Sequence, residues 1–422
     1  MNLLALKNSM IDAYCRANCT LLLKIEVGYY TIYIYTYDLS FTSGPGSSPS
    51  KYHITRSGNL SFSLPYYLKC STVLIRNQHI SNAMHRLLRR ERVKPTNPYI
   101  NGWRFTVRQH IAPPPTPMTD SFGLNDKTGT KERRKLHPVQ RCIRHPPLQG
   151  SDGPFSVELQ ICKILQAGNA QLVLVEVISD VPVKGLEKGK RVVAKIYDPL
   201  YLDDDGGFYN PFMCVDNHYT HEVAAYMAFS DVQGSMIPEY YGSFSLGVPV
   251  DASTTRNVRL ILIEYIPGPS MQNSSPKEVP QRDRQNIMKA IVQFETLAYT
   301  RDIVLPDLQP RNVMVANSPT HEKAVCIDFG DALFGRGSVF NSPVIDAYLL
   351  PGTYISPLLR WHAAFRTRML DFAGWIDWDW QPWLEKEFKH TAFTITPRIQ
   401  ETFLPSHVLE AWWQSQRYRG IY

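Results

Sequence analysis

Apolar and polar residues alternate in several short runs in the middle of the chain. Residues 157–165 and 171–178 are two such runs, and Gly168 and Asn169 lie between them, so the pattern predicts a β-hairpin. A helix is predicted at residues 220–231. Three more strands are predicted at residues 191–197, 240–246 and 258–265.

Downstream, apolar residues recur every three or four positions, which predicts a long helix at residues 280–299. Its apolar face is formed by Ile287, Ile291, Phe294 and Ala298. Two short strands are predicted at residues 313–315 and 324–327, after a loop. The order of elements is β-β-β-α-β-β, followed by a helix, a loop and a β-hairpin, which is typical of an α+β fold.

Charge divides the chain differently. Residues 1–150 carry 21 Lys and Arg against 7 Asp and Glu, a net charge of +14, whereas the remainder carries 24 against 31, a net charge of −7. We predict that residues 1–153 form a basic, poorly ordered extension. We interpret its clusters at residues 86–92 and 131–135 as solvated surface, so a nucleic-acid partner is not expected.

The sequence gives no signal for a membrane or for secretion. The most apolar stretch, residues 20–36, contains Lys24 and Glu26, which excludes it as a transmembrane helix. The first residues lack the apolar run and cleavage site of a secretory signal. Seven cysteines without paired spacing fit a reducing compartment. We expect an intracellular protein in the cytoplasm, with the nucleus as the alternative, and no membrane partner.

Five polar residues are candidates for chemistry. Lys195 interrupts an apolar strand, and a buried ammonium needs an anion, which Glu222 on the next helix can supply. Asp307 and Asn312 lie in the loop after the long helix, at a spacing that lets both reach one site. Asp328 follows a buried strand and precedes a Phe-Gly pair, a position suited to a metal ligand.

This ordered set resembles the protein kinase superfamily. The resemblance covers residues 155–360 and is closest to the divergent fungal-type kinase-like proteins, on the segments VVAKIYDPLY, HYTHEVAAY, LILIEYIPG and DLQPRNVMV. It implies a two-lobed kinase-like fold, with an N-lobe at residues 154–268 and a C-lobe at residues 269–422. It also implies ATP and Mg²⁺ as cofactors and a protein hydroxyl group as the phosphate acceptor.

The resemblance assigns a role to each candidate. Lys195 would contact the α- and β-phosphates of ATP and pair with Glu222. Asp307 would accept the proton of the attacking hydroxyl group, and Asn312 and Asp328 would hold Mg²⁺. Four further residues would line the nucleotide: Gly168, Val193, Glu264 and Ile266.

Some positions depart from the kinase pattern. Gly168 is the only glycine of the expected phosphate-covering loop. Gln309 replaces a lysine that stabilises the transferring phosphate, and Arg311 would compensate as a catalytic cation. Leu358 replaces a glutamate that closes the activation segment with a buried ion pair. We expect aromatic packing by the tryptophans between residues 361 and 413 to hold the C-lobe instead.

Two alternatives stand beside a divergent protein kinase. The thin glycine loop and Gln309 fit a pseudokinase, which would bind nucleotide or a partner protein without turnover. The short region after Pro357, and the pair Asp331-Ala332 behind the Asp-Phe-Gly segment, fit a kinase for a small molecule of the aminoglycoside or choline type.

Overall fold

The computed structural model describes residues 21–26, 32–37, 72–75, 94–116, 132–133, 135–180, 182–183, 185–202, 210–317, 322–336, 350–363 and 369–403. The chain divides into two compact units, Met1–Arg92 and Val93–Tyr422. The first unit holds an antiparallel sheet in the order β2-β1-β3, built from β1 (Leu21–Glu26), β2 (Ile32–Tyr37) and β3 (Thr72–Ile75). The basic cluster at residues 86–92 lies outside the described residues.

The second unit contains a six-stranded antiparallel sheet that closes on itself in the order β4-β5-β6-β7-β9-β8, because β4 pairs with both β5 and β8. Its strands are β4 (Arg104–Ile111), β5 (Ser151–Ala167), β6 (Gln171–Val177), β7 (Arg191–Tyr197), β8 (Tyr240–Pro249) and β9 (Thr255–Glu264). All five strands predicted in this region are present. The hairpin between β5 and β6 turns at residues 168–170, as the sequence predicts.

Alternation along each strand explains how the closed sheet is filled. Every second residue points inward, and these positions carry apolar side chains such as Val107, Leu159 and Leu260, each fully buried. The other positions face outward, where Val193 and Ile263 pack against the rest of the unit. The two faces therefore belong to two separate apolar cores.

The prediction of a poorly ordered extension over residues 1–153 is wrong for its last part. The sheet begins at Arg104, ahead of the boundary expected at residue 154, because Phe105 and Val107 of β4 are buried inside it. The helix α1 (Pro138–Arg144) also lies in this region. Glu132 pairs with Arg141 at 3.2 Å, so part of the basic cluster at residues 131–135 is structured. The basic composition concealed a short run of alternating residues.

The described residues after β7 include five further helices: α2 (Pro211–Ala228), α3 (Gln281–Thr300), α4 (Pro357–Arg360), α5 (Trp380–Phe388) and α6 (Pro397–Phe403). The long helix predicted at residues 280–299 is confirmed as α3. The start predicted for α2 at residue 220 is wrong. This helix begins at Pro211, and the Asn210 side chain caps it by accepting from the Phe212 N–H at 3.2 Å.

Short strands and aromatic side chains complete the second unit. Two antiparallel pairs are formed by β10 (Ile303–Val304) with β13 (Leu333–Phe334), and by β11 (Val313–Asn317) with β12 (Glu322–Cys326). The strands predicted at residues 313–315 and 324–327 are thus confirmed. The expected aromatic core is also present, since four tryptophans of the described tail are buried together: Trp361, Trp375, Trp380 and Trp383.

The observed architecture is thus a mixed α/β fold with a six-stranded antiparallel sheet and several helices. None of the helices in the described part of the chain combines the length and apolarity needed to cross a bilayer.

Candidate active site

Lys195 lies in the middle of β7 and is only 6% exposed. Its Nζ contacts Glu222 Oε2 at 2.6 Å and Asp328 Oδ1 at 2.7 Å. Burial alone would lower the pKa of Lys195, but the two carboxylates hold that pKa above its ordinary value. The sequence prediction that this lysine meets a carboxylate is confirmed. We call Lys195, Glu222 and Asp328 the cleft triad.

Glu222 is the fully buried member of the cleft triad, at 0% exposure on α2. Its Oε2 accepts from Lys195 and also from the Tyr197 hydroxyl at 2.6 Å. Its Oε1 is buried and has no hydrogen-bond partner among the described residues. Burial raises the pKa of Glu222, against the lowering effect of Lys195. One carboxylate oxygen of the triad is therefore left unsatisfied.

Asp328 is the accessible member, since 47% of its side chain is exposed. It follows β12 with a left-handed backbone at φ 64°, which turns the chain sharply after the strand. The next residue, Phe329, is buried against Tyr226 of α2 and Phe294 of α3, with ring centroids at 5.3 and 5.9 Å. Burial acts to raise the pKa of Asp328, but Lys195 outweighs it and the pKa lies below its ordinary value. This carboxylate is ionised.

Asp307 and Asn312 form a second group, held by a short 3₁₀ turn at Pro310–Asn312. The Asn312 side-chain amide donates to Asp307 Oδ2 at 2.8 Å and to the Asp307 carbonyl oxygen at 2.9 Å. Arg311 donates to both Asp307 and Gln309. Burial raises the pKa of Asp307 to about 6, although Arg311 acts to lower it. Asp307 is thus a carboxylate whose proton affinity suits a general base.

The two groups meet in one cleft. A single depression is lined by Asp307 and Asp328, together with Leu305, Pro306, Leu308, Ile327, Phe329, Asp331 and Ala332. The Ile327 N–H donates to the Asn312 carbonyl oxygen at 2.9 Å, which fixes the two segments against each other. The five residues that the sequence singles out therefore converge on one site.

Of the four expected nucleotide-lining residues, Val193 and Glu264 lie in strands of the closed sheet, and Gly168 and Ile266 lie just outside its strands. In the sheet register Lys195 pairs with Leu172 of β6 and with Ile261 of β9. Gly168 is in the turn that precedes β6, and Val193 is buried two residues before Lys195. Glu264 is the last residue of β9, its backbone N–H donating to the Glu239 carbonyl oxygen at 2.9 Å, and Ile266 follows just outside the strand. The structure shows no direct contact between these four residues and the described cleft carboxylates.

Sequence reasoning missed a histidine at the edge of this site. His218 Nε2 lies 3.3 Å from Asp331 Oδ1, and His218 precedes Glu222 by one helical turn on α2. Burial acts to lower the pKa of His218, but Asp331 raises it above its ordinary value. A Cβ atom added to Gly330 would lie 3.2 Å from His218 Cβ, so the glycine allows α2 to approach the segment after Asp328. The spacing of one turn between His218 and Glu222 was the available signal.

A second feature that sequence reasoning missed is a buried ion pair near Leu358. Arg360 of α4 pairs with Glu295 of α3, and both side chains are 4% exposed. The Trp361 indole N–H donates to Glu295 Oε2 at 3.0 Å. We call Glu295, Arg360 and Trp361 the buried clamp. The buried clamp joins α3 to the end of α4.

Compared with models of known protein families and with curated protein sequences, the chain matches none. Its function must be inferred from the geometry and charge of this site. The described residues contain no group of three or more His, Cys, Asp or Glu side chains placed to hold a metal ion.

Proposed function

We propose that this protein is an ATP- and Mg²⁺-dependent phosphotransferase with a two-lobed protein kinase-like fold, acting on protein hydroxyl groups. The closed sheet and α2 would form the N-lobe, and residues from 269 onward the C-lobe. One observation carries the proposal: Lys195 is held between Glu222 and Asp328, and Asp328 lines the same cleft as Asp307, whose carboxylate accepts from Asn312. Phosphoryl transfer depends on such positioning and charge compensation.

Lys195 would bind the α- and β-phosphates. The two carboxylates fix its ammonium group, and their charge keeps it protonated. A lysine in this state is a ready point charge for a phosphate. Gly168, Val193, Glu264 and Ile266 would line the rest of the nucleotide, since they lie on or next to β6, β7 and β9 of the sheet that holds Lys195.

The donor set fits Mg²⁺ delivered with a nucleotide. Asp328 is ionised and half exposed, and the Asn312 amide nitrogen is turned to Asp307, so that its oxygen is the donor left for a cation. Mg²⁺ in nucleotide sites is held by one or two protein oxygens together with phosphate oxygens. Asn312 and Asp328 would thus hold the ion, which supplies charge neutralisation at the β- and γ-phosphates.

Asp307 would orient the acceptor hydroxyl group and take its proton. The Asn312 side-chain amide holds the Asp307 carboxylate in place by donating to its Oδ2 at 2.8 Å. Arg311, which contacts the other oxygen of Asp307 and is half exposed, would stabilise charge on the transferring phosphate in place of a lysine at position 309.

The test is transfer of labelled γ-phosphate from Mg-ATP to the chain itself and to unstructured protein substrates. We expect Asp307→Asn to lose about 100-fold or more of the rate. Asp180→Asn, an exposed carboxylate in the loop after β6, is the matched control and should be unaffected. Equal rates in wild type and Asp307→Asn would remove Asp307 from its role. Turnover only with low-molecular-weight hydroxyl compounds would reassign the acceptor.

A nucleotide-binding module without turnover is the second candidate. It is favoured by the engagement of both Asp307 oxygens, one by Arg311 and the other by Asn312. Thermal unfolding with and without Mg-ATP separates the two functions. A rise in the unfolding midpoint without measurable transfer would select the binding module, and no rise at millimolar nucleotide would contradict both.

A further inference from the structure

A second cavity, of about 470 Å³, lies on the outer face of the closed sheet. Its floor is formed by outward-facing residues of four strands: Arg108, Ser156, Ser245, Asn257 and Arg259. Residues 146–149, the segment between α1 and β5, cover it. None of its lining residues lines the cleft that contains Asp307.

The segment at residues 146–149 is held over the cavity by its prolines and by two hydrogen bonds. Pro146 and Pro147 restrict the backbone of the segment. The Leu148 N–H donates to Asp216 of α2 at 3.2 Å, and the Leu148 carbonyl oxygen accepts from Arg259 at 2.9 Å. A segment that packs on a sheet normally buries apolar side chains, but this one encloses a polar floor. The space therefore suits a polar ligand.

Arg259 gives the cavity an uncompensated positive charge. Its guanidinium donates to the Ser245 hydroxyl and to the Leu148 carbonyl oxygen, which are both neutral acceptors. Among the described residues no carboxylate lies within ion-pair distance of Arg259, and its Nε is buried without a partner. Burial lowers the pKa of Arg259, although Tyr219, Asp216 and Asp152 act to raise it.

The second arginine is only weakly compensated. Arg108 lies 3.4 Å from Asp152, but both side chains are more than half exposed, so this pair contributes little. The lining residues thus include two arginines and one carboxylate, and a second carboxylate, Asp216, lies behind the covering segment, where it accepts from the Leu148 N–H. Hydroxyl and amide side chains supply the other lining groups, among them Ser156, Ser245 and Asn257.

We propose that this cavity binds a small anionic polyol, a molecule with one phosphate or carboxylate group and several hydroxyl groups. Arg259 and Arg108 pair with the anionic group, and Ser156, Ser245 and Asn257 hydrogen-bond the hydroxyl groups. Ligand sites of small molecules typically measure about 300–1,000 Å³. Asp216 joins the segment at residues 146–149 to α2. Any effect of the ligand on phosphotransfer through this link rests on the proposed function, whereas binding of the ligand does not.

The experiment is calorimetric titration of the full chain with glucose 6-phosphate, gluconate, inorganic phosphate and glucose. We expect saturable binding of both anionic polyols, glucose 6-phosphate and gluconate. The one that binds more tightly shows whether the site prefers a phosphate or a carboxylate group. Inorganic phosphate, which lacks the hydroxyl contacts, and glucose, which lacks the charge, should each bind about tenfold more weakly.

Charge variants give effects of opposite sign, which loss of structure cannot produce. Arg259→Gln and Arg108→Gln should each weaken binding about tenfold, and Asp152→Asn should tighten it. Arg104→Gln, on the outer face of β4 but not in the cavity, should leave it unchanged. Since Arg259 also holds the cover, Arg108→Gln decides the matter if Arg259→Gln does not fold. The proposal is overturned if neither anionic polyol binds saturably, if glucose binds as well as they do, or if Arg108→Gln and Asp152→Asn have no effect.

Discussion

The cleft triad and the buried clamp are both built around a carboxylate buried beside a cation, but their charges balance differently. In the clamp one arginine meets one glutamate, and an indole N–H adds a further donor. In the triad one lysine meets two carboxylates, and Glu222 keeps an unpaired oxygen. The clamp is electrically neutral, whereas the triad has an excess of negative charge.

This difference separates a structural ion pair from a site prepared for a ligand. A buried pair is stable when its groups are matched and hydrogen-bonded, as in the clamp. The triad leaves its excess charge on Asp328, the member that reaches the cleft surface. A cation entering the cleft would neutralise it, so the triad gains from a ligand while the clamp gains nothing.

The largest effect on stability is expected at the buried clamp. Arg360→Leu would remove the arginine that pairs with the buried Glu295, and we expect the free energy of unfolding to fall by about 3–5 kcal/mol. Chemical denaturation measures this directly. Arg301→Leu is the matched control, because Arg301 pairs with Asp231 at 2.7 Å on the surface and should cost about 1 kcal/mol or less.

A double variant tests whether the lost stability comes from the buried charge of Glu295. Glu295→Leu combined with Arg360→Leu removes both charges and should recover part of the lost stability, since an apolar replacement of a buried pair is often tolerated. If Arg360→Leu costs no more than Arg301→Leu, the clamp does not hold these helices together.

At the cleft triad, Lys195→Met should cost less stability, about 1–3 kcal/mol. Glu222 keeps its bond from Tyr197 and can take up a proton, because burial already raises its pKa. The larger effect should be on ligand binding, with loss of the thermal shift produced by Mg-ATP.

Lys163→Met is the control for this variant, since Lys163 is an exposed lysine of β5. It should retain the nucleotide-dependent shift. An unchanged shift in Lys195→Met would show that nucleotide, if bound, does not contact this lysine.

The pKa of Asp307, about 6, predicts the pH dependence of transfer. Only the carboxylate can accept a proton, so the rate should rise with pH through 6 and fall about tenfold per unit below it. Arg311 lowers this pKa, so Arg311→Gln should move the midpoint upward. Nucleotide binding measured over the same range corrects for titration of the γ-phosphate. If the midpoint of the pH profile is the same in Arg311→Gln as in the wild type, a group other than Asp307 is titrating.

The same raised pKa has the opposite consequence for stability. The folded state binds the Asp307 proton more tightly than the unfolded chain does. This contribution to stability is therefore full below the ordinary pKa of an aspartate and is lost as the pH rises through about 6.

Much of the candidate site could be predicted from the sequence, because its residues contrast with their surroundings. Lys195 in an apolar strand and Asp328 after another are local signals, and the structure brings them together at 2.7 Å. The strands of the closed sheet were predictable for a similar reason, because apolar and polar residues alternate along each strand.

Other features depend on contacts between distant residues. The clamp joins residues 65 positions apart, and Glu295 looks like an ordinary helix residue until its partner is known. The first turns of α2 were missed because their buried residues include the polar Asn217 beside Val215 and Tyr219, so no amphipathic period marks the start of the helix. The outer cavity needs both β4 and residues 146–149, which lie in the region that composition marked as an extension.

The smallest expected effect concerns two glycines of the candidate site. In Gly330→Ala the new methyl group would lie 3.2 Å from His218 Cβ, so α2 must shift by a few tenths of an ångström. We expect a loss of about 1 kcal/mol in unfolding free energy. The shift would also move Glu222, which lies on the same helix, relative to Asp328, so nucleotide affinity should fall with stability.

Gly168→Ala is the matched substitution, because its methyl group would meet nothing closer than Gln166 Nε2 at 3.9 Å. Stability should be unchanged. If the turn of Gly168 covers the phosphates, affinity for Mg-ATP should still fall, since a side chain then stands where the backbone approaches the anion. Gly330→Ala is thus expected to lower affinity and stability together, whereas Gly168→Ala is expected to lower affinity alone. Unchanged affinity in Gly168→Ala would remove this turn from the nucleotide site and leave Lys195 as its main phosphate contact.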